Sequence, residues 1–81
     1  MVEVVLWGSL KAFADGETTC EVEAATIREM LDALAARHPK LAPVLARGVA
    51  VAIDGQIYRD DWFQPIGPDS EVYVLPRLAG G

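Results

Sequence analysis

One strong helical period lies in the middle of this chain, with strand-like alternation on both sides, and that arrangement leaves few folds open. Thr26-Ile27-Arg28-Glu29 matches a capping box: the Thr26 hydroxyl can accept from the third helical amide while Glu29 reaches back to the cap. Ile27, Met30, Leu31 and Leu34, with Ala35 and His38 beyond them, then follow the i, i+3, i+4, i+7 rule. Pro39 cannot continue the pattern, and it biases His38 away from helical geometry.

The rest reads mostly at period two. In residues 2–7, Val2, Val4 and Leu6 point one way, and Glu3, Val5 and Trp7 the other. Asp15-Gly16 is a turn signal. Residues 18–23 then alternate, with Thr18, Cys20 and Val22 on one face. These two strands are expected to pair antiparallel, and the loop between them has room for a helical turn. Residues 41–47 suit a short second helix or a packed loop, with Leu41, Val44 and Leu45 facing inward. Residues 49–53 are a strand run; Asp54-Gly55 and Gln56-Ile57-Tyr58 follow. Asp-Gly between apolar runs signals a hairpin, because both central residues of a type I′ turn need positive φ. Residues 62–69 hold Pro65, Gly67 and Pro68 and read as irregular. In the last strand, residues 71–75, Val72 and Val74 face one side and Tyr73 and Leu75 the other. The order ββαβββ predicts an α+β domain with the helix on one face of a sheet of about five strands.

Eighty-one residues make one domain. A chain this short buries only roughly 60% of its extended surface, but 52% apolar residues can build the core. Cys20 is the only cysteine, so no internal disulfide forms. Seven Lys+Arg against twelve Asp+Glu leave a net charge of −5. That balance disfavours nucleic acid, which demands a basic face. It suits a basic docking surface on a partner, or simply solubility. The first residues lack the basic leader of a signal peptide, and no stretch approaches the roughly 20 apolar residues of a membrane span. A soluble cytoplasmic protein that binds neither membrane nor nucleic acid is expected.

Chemistry inside the domain is hard to find. One Cys and one His cannot form a metal site, which needs several such ligands. Cys20 reads as a small core residue and His38 as a helix-end residue suited to the dipole. Neither G-x-x-x-x-G-K-[ST] nor G-x-G-x-x-G occurs. Asp60-Asp61 reads as a solvated surface pair. A protein like this takes part in a reaction as a substrate and has no autonomous active site.

The chain ends Leu75-Pro76-Arg77-Leu78-Ala79-Gly80-Gly81. Glycine has no Cβ, so a diglycine end can enter a narrow site in another protein. Residues 1–75 are read as the domain and 76–81 as a flexible tail, which spans about 20 Å at full extension. Pro76 marks the strand's end, Leu78 can anchor in an apolar pocket and Arg77 can pair with an acid. The terminal carboxylate, with an ordinary pKa of about 3.3–3.7, is ionised at neutral pH and ready to attack an activated phosphate.

The element order, the length, the Ile66-Gly67-Pro68-Asp69-Ser70-Glu71-Val72 segment and the Leu75-Pro76 lead into Gly80-Gly81 together resemble the MoaD/ThiS sulfur carriers. The resemblance spans the whole chain; the diglycine is its most specific part. It implies a β-grasp, or ubiquitin-like, fold with a mixed sheet and the first and last strands side by side at its centre. It also implies that an E1-like enzyme uses Mg-ATP to adenylate Gly81, with Gly80 beside it. A persulfide or sulfide then displaces AMP, leaving a thiocarboxylate. In the molybdopterin branch the tail enters the large subunit of molybdopterin synthase, with this chain as the non-catalytic small subunit. Thiamine thiazole synthesis, cysteine synthesis and isopeptide modification of lysines through Gly81 are the other outlets. If the first and last strands are neighbours, Val5, Trp7, Tyr73 and Leu75 form an apolar patch near the tail. Such patches mark interfaces, and in the family this face receives the partners. The competing expectation is that the chain around Trp62-Phe63 folds over the patch.

Overall fold

The computed structural model describes residues 1–59 and 61–76. In chain order they form β1 (Val2–Leu6), a 3-10 turn (Gly8–Phe13), β2 (Thr19–Val22), α1 (Ile27–Arg37), a second 3-10 turn (Pro39–Leu41), α2 (Ala42–Arg47), β3 (Val49–Ile53), β4 (Gln56–Tyr58) and β5 (Val72–Pro76). The strands make one sheet in the order β2-β1-β5-β3-β4. β1 and β5 run parallel, and every other neighbouring pair is antiparallel. This is the expected β-grasp arrangement, with the first and last strands adjacent in the middle.

The helix begins as its sequence dictates. Thr26 is the N-cap, and its hydroxyl accepts from the Glu29 N–H at 3.2 Å. The Glu29 carboxylate reaches one residue further back than the capping box requires, accepting from the Ala25 N–H at 2.9 Å. Residues 25 and 26 are engaged with the irregular 62–69 segment: the Ala25 carbonyl accepts from Ile66 and a bridge joins Thr26 to Pro65. That segment also offers the Gln64 and Trp62 carbonyls to the N–H groups of Ile27 and Arg28, at 3.0 and 2.8 Å. Two of the helix's four orphan amides are thus satisfied by backbone. Trp62 sits beside Arg28, Leu31 and Leu45 in a groove on the helical side. The expectation that this stretch covers the outer sheet face is therefore not what the structure shows.

Inward residues follow the predicted alternation. Val2, Val4 and Leu6 of β1 and Val72 and Val74 of β5 are buried in one core with Met30 and Leu34 of α1. Residues 39–47 form the second 3-10 turn and α2, placing Leu41 and Leu45 in the core with Val44 partly buried against it. Asp54 and Gly55 take φ of 50° and 86° and close the β3–β4 hairpin in two residues.

Strand ends differ from the sequence reading by a residue or so. β1 stops at Leu6 because Gly8, at φ 63°, turns the chain. β5 starts at Val72, since Glu71 is held by the hairpin turn: its N–H donates to the Asp54 carboxylate and its carbonyl accepts from the Asp54 N–H, both at 2.9 Å. Pro76 is the last residue of β5, opposite Val49.

Candidate functional site

Two features of the sheet bear on function: its uncovered face and the corner where β5 ends. The uncovered face carries the residues that alternate with the core. Register places Val5 opposite Tyr73, Tyr73 opposite Ala52 and Ala52 opposite Ile57. These four make an unbroken row across β1, β5, β3 and β4. Towards the end of β5, Leu75 stands opposite Ala50, with Trp7 just past the end of β1. Trp7 and Ile57 are 57% and 59% exposed and Tyr73 37%, while Val5 and Leu75 are half-buried by their neighbours. The structure thus brings together Val5, Trp7, Tyr73 and Leu75, as expected. Ile57 was missed by sequence reasoning. The two-residue hairpin loop sets the Ala52–Ile57 register and could have found it.

The same face changes character away from Pro76. Glu3 lies directly opposite Glu21, and the β1–β5 register brings Glu71 beside Glu3. Glu3, Glu21, Asp69 and Glu71, with Met1 and Tyr73, line a shallow hollow with no lysine or arginine among the described residues that line it. Like charges on facing strands destabilise a sheet slightly, so the arrangement does not serve the fold. The face therefore runs from apolar at the end of β5 to acidic at the opposite end.

At the corner, the Trp7 N–H donates to the Val74 carbonyl at 3.0 Å, the last β1–β5 bond before the chain turns at Gly8. Pro76 packs over Gly8. The remaining expected site residues, Arg77, Leu78, Gly80 and Gly81, lie outside the described residues, as does Asp60 of the acidic pair.

The other candidates are structural. Cys20 is buried, and its thiol is pushed up chiefly by burial; Arg37 opposes this and Glu17 adds to it. A thiol held protonated is a poor nucleophile. His38 is the C-cap of α1 and only 7% exposed. Its Nδ1 lies 3.8 Å from an Asp15 carboxylate oxygen and its Nε2 3.2 Å from one of Glu17. The carboxylates flank opposite edges of the ring, so the three groups do not converge on one ion. Among the described residues no group of three His, Cys, Asp or Glu could hold a metal. No helix among them is long and apolar enough to cross a membrane.

Comparison with known proteins agrees with this architecture. A family model described as the ThiS family matches residues 4–81. A search of the curated proteins finds no match to the sequence. Among solved structures, a chain of the BexX/CysO complex from Amycolatopsis orientalis is 23% identical, with a TM-score of 0.78, covering 100% of both chains. SAMP1 from Haloferax volcanii is 27% identical with a TM-score of 0.78, covering 99% of this chain and 98% of that one. A Pyrococcus furiosus protein named as a molybdopterin converting factor, subunit 1, is 21% identical with a TM-score of 0.73, covering 95% and 97%. The chain belongs to the ThiS family of ubiquitin-like sulfur carriers.

Proposed function

We propose that this protein carries sulfur on the carboxylate of Gly81, most directly for molybdopterin synthesis. The observation that carries the reading is that the family match runs through the last residue, taking in Gly80 and Gly81. In this reading an E1-like partner supplies Mg-ATP. A Gly81 carboxylate oxygen attacks the α-phosphorus, pyrophosphate leaves, and an acyl-adenylate forms. Sulfide then attacks the carbonyl carbon and AMP leaves, giving the thiocarboxylate. If the donor is a protein persulfide, a second thiol cleaves the resulting acyl disulfide. Residues 1–76, with Pro76 closing β5, act as the docking body and 77–81 as the reaching segment, with Arg77 and Leu78 as contacts along it. Val5, Trp7, Tyr73 and Leu75, joined by Ile57, form the partner-binding face; Pro76, expected to share in it, falls instead on the Val72–Val74 side of β5, opposite Val49. The acidic end of that face favours a partner with a basic border, which raises the encounter rate. The large subunit of a molybdopterin synthase accepts the sulfur, in the cytoplasm, where the lone thiol of Cys20 stays reduced.

The choice of the molybdopterin outlet draws on the P. furiosus likeness and on the Leu75-Pro76 lead into the diglycine. Thiazole or cysteine synthesis would use the same thiocarboxylate. A second reading, isopeptide modification of lysines, is favoured by the likeness to SAMP1, a small archaeal modifier protein. Intact mass separates the two. Incubated with an E1-like enzyme, ATP and sulfide, a carrier exchanges one oxygen for sulfur, and removing Gly80-Gly81 abolishes the exchange. A modifier appears instead as slower-migrating conjugates in cell lysate. A chain that shows neither product refutes both readings.

A further inference from the structure

We infer that the groove between α1 and α2 receives a second copy of this chain, through a twofold contact in which Arg28 of each copy pairs with Asp32 of the other. The groove lies on the helical side of the sheet and is lined by Leu31, Ala35, Leu45, Ala46 and Trp62. Phe63, the next residue in the chain, is 76% exposed, more than any other large apolar side chain among the described residues. Apolar surface of this kind is where proteins associate, and the charges beside it say with what. Among the described residues that line the groove, only Arg28 and Asp32 are charged, and they stand one turn apart on α1. Their own contact is loose, at 3.9 Å, with the side chains 62% and 75% exposed. An exposed pair like this is worth little, so exchanging one aspartate for another costs little. A twofold contact brings residue i to residue j and j to i. With the axis crossing α1 between positions 28 and 32, two α1 helices lie antiparallel and each arginine meets the other copy's aspartate. One cation and one anion thus make the patch self-complementary. The hollow on the opposite face is lined by acidic charges alone and repels its own copy. The net charge of −5 does not forbid contact at the groove, because charges more than about 8 Å apart are screened at physiological ionic strength. Eight residues line the groove, against roughly 20–30 a side in a standard interface. The dimer is therefore weak, with a Kd of about 0.1–1 mM, and it leaves the sheet face of both copies open.

The test is sedimentation velocity of the full chain at concentrations from about 10 μM to about 1 mM, which bracket the expected Kd. The wild type should shift from monomer towards dimer over that range. Arg28→Asp makes both charges negative and Asp32→Arg makes both positive, so each variant should self-associate at least about tenfold more weakly. Neither change threatens the fold: both side chains are exposed, and an aspartate in the first turn of a helix suits its dipole. An equimolar mixture of the two variants should recover the wild-type affinity within about threefold, as a heterodimer, because each negative patch then meets a positive one. Trp62→Ala should weaken association about tenfold, while Tyr73→Ala, on the opposite face, should leave it as it is. A wild type that stays monomeric at the top of the range overturns the inference and leaves the groove to a different protein. Charge variants that associate as the wild type does overturn it, and so does a mixture that stays dissociated. A loss of association in Tyr73→Ala in place of Trp62→Ala assigns the contact to the sheet face and overturns it as well. None of these outcomes bears on the sulfur-carrier reading, which concerns Gly81.

Discussion

The two faces of the sheet are built from the same strands, yet they do opposite work. Inward, Val4 and Val74 are fully buried in the core that α1 also enters. Outward, their immediate neighbours Val5 and Tyr73 face the open side in a row that reaches Ile57. Each fully buried aliphatic side chain contributes roughly 1.5–3 kcal/mol to folding. The outer row contributes little until something covers it. Apolar character alone therefore does not say where a residue acts. Residues of similar chemistry, one position apart, divide between holding the molecule together and lying open on its surface.

Substitutions on the two faces should separate stability from association. Leu34→Ala, in the inner core, is expected to cost about 2–5 kcal/mol in chemical unfolding, with the charging rate per folded molecule unchanged. Tyr73→Ala or Trp7→Ala should leave the unfolding midpoint nearly unmoved while weakening the complex with the E1-like enzyme by about 2 kcal/mol, or roughly 30-fold. Calorimetric titration measures this, and an unchanged affinity would strip the outer face of its docking role. Thr26→Ala removes the helix cap and should cost about 1 kcal/mol of stability, with no change in binding. Glu3→Gln/Glu21→Gln relieves a facing pair of like charges and should add a few tenths of a kcal/mol to stability. It should also flatten the salt dependence of the association rate, measured by stopped flow.

The smallest effect belongs to Cys20. Burial raises the folded thiol's pKa, so above about pH 8.5 the unfolded chain releases a proton that the folded chain keeps. Stability from this source is complete below that pH and declines as pH rises through it. Cys20→Ala should flatten the decline in unfolding curves taken between neutral and alkaline pH, whatever it does to the absolute midpoint.

Much of the fold was legible because its signals are local. The capping box at Thr26, the Asp54-Gly55 hairpin and the alternation through β1 and β5 each arise within a few residues. Four of the surface site residues could be named from alternation, once family resemblance placed β1 beside β5. Ile57 escaped because a three-residue strand shows too little period to reveal its outward side. The clustering of Glu3, Glu21 and Glu71 escaped because three strands far apart in sequence supply it. His38 was read as a helix-end residue, and its helix position was right. Its burial between Asp15 and Glu17 depends on a turn more than twenty residues earlier in the chain.

By itself, the sequence determined the elements, the inward and outward sides of the central strands, and the diglycine ending. These follow from rotamers, caps and periods that one short stretch of chain imposes on itself. Tertiary structure decided which outward residues became neighbours, that the 62–69 segment serves the helix N-terminus, and that Pro76 closes β5 opposite Val49. Those outcomes depend on strand register between distant segments, where hydrogen bonds and side-chain volumes are settled together only when the sheet closes on its core.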